Sequence, residues 1–142
     1  MNTPTNKTMS MMPKAKLTNG LVVANFSSGH PFTFEDGTVL PACQDDRVQA
    51  LVIVHQETHS QKRIVDQTEY EMRNITAELT ELGMAMVQTT VLDECNVIIA
   101  PRQVVEAIHA AGLLKKHDRF ASIKMTKRGG PARIDVFCQP ME

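Results

Sequence analysis

The run Asn25-Phe26-Ser27-Ser28-Gly29-His30-Pro31 concentrates side chains able to do chemistry: one imidazole beside two hydroxyls and a carboxamide. Pro31 bars His30 from helical backbone, and Gly29 lets the chain come close to a ligand or a neighbouring strand. An imidazole held at such a bend can hydrogen-bond a ligand or trade a proton with one. The same ring would also serve to pin the turn by bonding local backbone. No neighbouring group completes a catalytic pair. Asn25, Ser27, Ser28 and His30 therefore stand as candidate ligand contacts, with no residue assigned a catalytic role.

A second constellation lies at Ala100-Pro101-Arg102-Gln103. An apolar strand runs into a proline at the first helical position, its preferred site. Ala100 offers no capping oxygen, so the amides of Arg102 and Gln103 lack a local acceptor. Free helix amides with an adjacent arginine suit a phosphate or carboxylate, although water or a neighbouring carbonyl would satisfy them too. A third group, Lys124, Lys127, Arg128 and Arg133, makes a basic hairpin fit to meet phosphate. No aromatic residue interleaves with it, so bases have no stacking platform and nucleic acid is not the expected partner. His55 and His59 flank Glu57 at a spacing that would suit a helical zinc site, but Gln56 occupies the position where the metalloprotease pattern needs glutamate. No metal and no cofactor are expected. A glycine-rich phosphate loop, a dinucleotide fingerprint, a serine elbow and a paired-cysteine motif are all absent from the sequence.

Positioning these groups requires a scaffold. Residues 1–16 are polar with scattered Met and read as a flexible arm. Residues 17–26 read as a strand with Asn19-Gly20 as its turn signal. Phe32–Phe34 and Val39–Leu40 flank Glu35-Asp36-Gly37-Thr38, a hairpin whose glycine supplies positive φ. Residues 50–54 read as a buried strand and 55–63 as a polar loop. Asp66 and Glu69 have the spacing of a capping box, and Met72, Ile75, Leu79 and Leu82 recur at helical steps, so a helix is expected over 67–82, stopped by Gly83. Strands at 84–92 and 95–100, a helix ending at Gly112, and a terminal hairpin (120–126 with 133–138) complete the reading. The fold class is α+β: one domain over 17–142, a largely antiparallel sheet of six or seven strands, and two amphipathic helices on one side.

Composition bounds the rest. The 142-residue chain is long enough for a real core. With five Phe, one Tyr and no Trp, core volume must come from aliphatic residues and nine Met. Three cysteines with no close pair read as free thiols in a reducing cytosol. No apolar run reaches the ~18 residues that span a bilayer, and the N-terminus lacks a secretory core, so a cytoplasmic location is expected. Residues 35–106 hold 13 acids and 5 bases, residues 115–133 7 bases and one acid. That asymmetry suits an anion-binding face. A homodimer is expected, since short hairpins leave edge strands in need of cover.

The segments NFSSGHPFTFEDGTVLPA and NVIIAPRQVVEAIHAAG resemble a group of small bacteriophage and prophage proteins. Those begin with a strand ending in an Asn-x-Ser/Thr-x-His-Pro motif, pass through a hairpin to Leu/Ile-Pro, and later carry an apolar strand followed by a helix. Asn25, Ser27, His30, Pro31, Leu40 and Pro41 match, with Gly29 as one extra residue before the histidine. The resemblance implies a phage accessory protein acting in the host cytoplasm, of a kind that often interferes with host defence. The expected function is sequestration of a small anionic, nucleotide-derived ligand. Two alternatives are a phosphate-ester or nucleotide hydrolase using His30, and a protein inhibitor of a host factor.

Overall fold

The computed structural model describes residues 12–45, 52–90 and 94–141, and the backbone alone within the strands at 53–62 and 71–76. Nine strands and two helices lie among the described residues. The α+β class and the helix count match the sequence reading, but nine strands in three sheets stand where one sheet of six or seven was expected. Four of the six strand ladders are antiparallel, but the two at the centre of the main sheet are parallel.

That sheet has the order β1-β2-β7-β8-β9, comprising β1 (Lys14–Lys16), β2 (Val22–Asn25), β7 (Val97–Ile99), β8 (Phe120–Met125) and β9 (Ala132–Cys138). The arm expected over 1–16 therefore stops short: Lys14–Lys16 pair with β2, and Met12 is already buried in the core. Residues 1–11 lie outside the described residues. Side chains alternate across the sheet, as the period of a strand requires. Ala24, Phe26, Ile98 and Phe120 face α1 (Glu81–Gln88) and α2 (Arg102–Ala110), while Val23, Ile99 and Ile123 face the opposite way. On the helix side, the rings of Phe26 and Phe120 meet edge to face at 5.0 Å, the arrangement their quadrupoles favour.

The other side is roofed by the hairpin of β3 (Phe32–Thr33) and β4 (Val39–Leu40), which buries Phe34 and Leu40 and turns at Gly37 (φ +89°) as expected. Its tip fastens two regions that are far apart in strand order. The Glu35 carboxylate accepts from the Ile134 amide at 2.9 Å on β9. The Asp36 carboxylate accepts from the amide and hydroxyl of Thr18, at 2.8 and 3.0 Å, in the β1–β2 turn. Asn19 in that turn donates to the Ile134 carbonyl at 2.8 Å. The sheet must therefore curl until its edges approach, enclosing the second core. Bonds from the Thr18 and Thr38 amides hold the Asp36 carboxyl down at about 2.

The largest departure from the sequence reading falls between residues 52 and 90. The helix expected over 67–82 is a strand, β6 (Thr68–Leu79), paired along its length with β5 (Val52–Val65). The loop expected at 55–63, with His55 and His59, is the middle of β5. Asp66, expected to cap a helix, forms with Gln67 a two-residue turn, both at positive φ (50° and 65°) and closed by the pair Val65↔Thr68. Ile75, Ala77 and Leu79 satisfy a period of two as well as Met72, Ile75 and Leu79 satisfy a helical one, and pairing with β5 decides between them. The helix begins later. Thr80 caps α1 by accepting from the Gly83 amide at 3.0 Å, so Gly83, read as a stop, lies in the first turn, and α1 replaces the strand expected from residue 84. Residues 91 and 92, the end of that expected strand, lie outside the described residues.

Candidate functional site

Parallel pairing fixes which loops share an edge. Asn25 lies opposite Ile99, and Ile99 opposite Ala121. The loop after β2, the start of α2 and the continuation of β8 therefore all leave from the carboxyl ends of the three parallel strands, where open α/β sheets bind ligands. All ten sequence candidates lie at or beyond this edge. They do not form one pocket.

The loop after β2 is organised by Asn25, which is fully buried. Its Nδ2 donates to the carbonyls of Ser28 and Pro41 at 3.1 and 3.0 Å, with a longer 3.4 Å approach to that of His30, and its Oδ1 accepts from the Ser28 amide at 2.8 Å. Ser28 Oγ bonds the His30 amide and carbonyl, at 3.1 and 3.0 Å. Asn25 and Ser28 thus pin the bend, the task the sequence left open for the imidazole, while His30 is exposed and its ring makes no hydrogen bond among the described residues. Ser27 is buried and its Oγ has no partner among the described residues.

Pro101 is the N-cap of α2 and gives no side-chain bond, so the helix starts one residue later than the sequence suggested. The Val104 and Val105 amides both reach the Pro101 carbonyl, at 2.9 and 3.1 Å. Those of Arg102 and Gln103 have no acceptor among the described residues. No acid stands in the first turn, and Arg102 adds a cation at the positive end of the helix dipole, the end that favours anions. Its Nε donates to Glu106 at 3.0 Å, but the Arg102 side chain is 85% exposed, so that pair contributes little.

Arg102, Val105 and Glu106 form one wall of a groove of about 490 Å³. Ser122 of β8 and its cross-strand partner Cys138 of β9 form its floor, with Ile123 at the margin, and residues 139–141 its far wall. Gln139 is anchored there by bonds from Nε2 to the carbonyls of Asp118 and Phe120, at 2.8 and 3.0 Å. Of the ten candidates only Arg102 lines this groove. Glu106, Ser122, Cys138 and Gln139 were missed because nothing in the sequence ties residues so far apart to one cleft.

The basic hairpin divides. Arg133 is engaged with Asp135 through two 3.0 Å contacts, which lower the Asp135 carboxyl from its ordinary value. Lys124, Lys127 and Arg128 have no ion pair among the described residues. Lys124 stands two residues beyond Ser122, roughly 7 Å along β8. Cys43, Cys95 and Cys138 form no disulfide among the described residues, and burial raises the Cys95 thiol.

Compared with known proteins, the chain matches no family model, no curated protein and no solved structure. No helix among the described residues is long and apolar enough to cross a membrane.

Proposed function

We propose that this protein binds a nucleotide-sized anionic molecule in the groove beside the start of α2, holding it rather than converting it. The observation that carries this reading is the concentration of positive potential there, answered within the chain only by the exposed Arg102–Glu106 pair. Two free helix amides, a helix dipole and Arg102 coincide at one end of a helix that has no acid in its first turn. Fold stability alone disfavours that arrangement, and a phosphate relieves it. Lys124, Lys127 and Arg128, with no ion pair among the described residues, add long-range attraction from the same edge.

The resemblance to phage proteins makes a host nucleotide signal a natural ligand, and sequestration the consequence of binding it. Native mass spectrometry of protein taken from cell lysate, followed by calorimetry with mononucleotides and cyclic dinucleotides, tests the reading. A retained phosphate-bearing ligand, or micromolar binding of one of these classes, supports it. No binding by any of them overturns it. The exposed, unengaged ring of His30 keeps a hydrolase as the second reading, and ligand turnover that is lost in His30→Ala would favour it.

A further inference from the structure

We propose that β5 and β6 form a dimerisation arm: two copies lay their arms side by side in opposite directions, each seating its apolar tip in a groove at the root of its partner's arm. Three observations on separate parts of the chain lead there.

The first is the arm itself. β5 has 14 residues and spans roughly 45 Å. β5 and β6 pair only with each other among the described residues. At its root Val52, Ala77 and Leu79 pack into the core beside α2, but a two-stranded ribbon carried beyond such support is marginal in water, and its two open edges invite another chain.

The second is the tip. Every residue from Arg63 to Tyr70 is exposed, and Ile64, Val65 and Tyr70 are 69%, 42% and 52% accessible. Val65 and Tyr70 fall on one face of the ribbon by the register Val65↔Thr68 and Arg63↔Tyr70, and Ile64 falls on the other. Val65 and Tyr70 thus make an exposed apolar face at the hairpin end, rimmed by Arg63, Asp66 and Thr68, the form a contact site takes.

The third is the root. Ala77 and Leu79 of β6, Met84 of α1 and Ala107, Ala110 and Ala111 of α2 line an open groove of about 480 Å³, with Glu78 as its one charge. Small alanines leave room for larger side chains from elsewhere.

A second copy of this chain is the occupant because the geometry closes on itself. When two identical arms lie antiparallel, each tip reaches its partner's root whatever the arm's length, so one two-fold axis satisfies both contacts. The area is sufficient as well. Two ribbons in contact over roughly 40 Å of length and about 10 Å of width cover on the order of 400 Å² per copy. The two tip-in-groove contacts raise this towards the ~800 Å² per partner of a standard interface.

The test uses the full chain and two exposed substitutions. Val65→Glu, on the face that Val65 shares with Tyr70, sets a carboxylate against Glu78 in the groove. Ala110→Lys fills the groove, and its charge suits the last turn of α2. Wild type should run by light scattering at twice the 15.8 kDa chain mass at micromolar concentration, and each variant should raise the dimer dissociation constant at least tenfold while keeping the wild-type circular dichroism. Mixed together, the two variants should form a heterodimer, because one tip–groove contact is then wild type and the other pairs Glu with Lys. A monomeric wild type overturns the proposal, and so does a dimer indifferent to both substitutions. A mixture that stays monomeric overturns the tip-in-groove seating.

Discussion

Replacing Asn25 by alanine separates a structural from a binding role for the His30 loop. Three bonds are lost: two donated by Nδ2, at 3.1 and 3.0 Å, and one accepted by Oδ1, at 2.8 Å. Their partners do not suffer equally. The Ser28 carbonyl keeps the Cys43 amide at 2.8 Å, and Pro41 is exposed, so its carbonyl can turn to water. The Ser28 amide is left buried without an acceptor, at a cost of about 1–3 kcal/mol. Adding roughly 1 kcal/mol of net loss for the donated bonds gives about 2–4 kcal/mol in all. His30→Ala, at an exposed position whose ring bonds nothing, should stay within about 0.5 kcal/mol of wild type. Urea denaturation followed by circular dichroism measures both. If Asn25→Ala costs under about 1 kcal/mol, or His30→Ala costs as much as Asn25→Ala, the assignment of the pin to Asn25 is wrong.

Gln67→Gly should stabilise the arm by about 1 kcal/mol by removing a left-handed conformation from an ordinary residue; slower amide exchange at Val65 and Thr68, the pair that closes the turn, is the readout, and unchanged exchange counts against it. Asp36 supplies an acid-sensitive clasp: its folded pKa lies below the unfolded value, so its contribution is present above about pH 4 and fades as the pH falls towards 2. The gap in melting temperature between wild type and Asp36→Asn should therefore shrink between pH 5 and 2.5, and a constant gap would refute the clasp. For a phosphate ligand bound beside α2, Arg102→Ala should weaken affinity about tenfold or more and Lys127→Ala under about threefold, since a charge-assisted bond at a helix start is fixed whereas an exposed lysine is screened. Equal losses, measured by calorimetry, would move the site from the helix start to the hairpin.

Much of this architecture was legible where local chemistry is unambiguous. Glycines at 20, 37, 112 and 129 mark turns because each takes positive φ, and the strand–helix unit ending at Gly112 followed from an apolar run, a proline and a four-residue stripe. The stretch from 66 to 83 misled because an aspartate followed three residues on by a glutamate is equally compatible with a cap and with a turn leading into a strand. Only pairing with β5, a partner outside the window, separates the two. The site was legible as an edge and not as a cleft. Arg102 was identifiable from its missing cap, but its groove is completed by Ser122, Cys138 and Gln139, which the pairing of β8 with β9 sets side by side.

The arm sits inside the connection from β2 to β7, and this affects how freely the chain can change. The Asn96 side chain reaches back to accept from the Val22 amide across 74 residues, so the central parallel ladder can form only after a long excursion closes. Closure entropy grows with the logarithm of length, and each doubling adds only about 0.6 kcal/mol. Because Val52 and Leu79 are paired, the arm leaves and re-enters the body at one point. Whole turns of ribbon could be added or trimmed beyond that pair at little cost to core assembly. The length of the arm is therefore open to rapid evolutionary drift, while the residues at its root, packed against α2, are not.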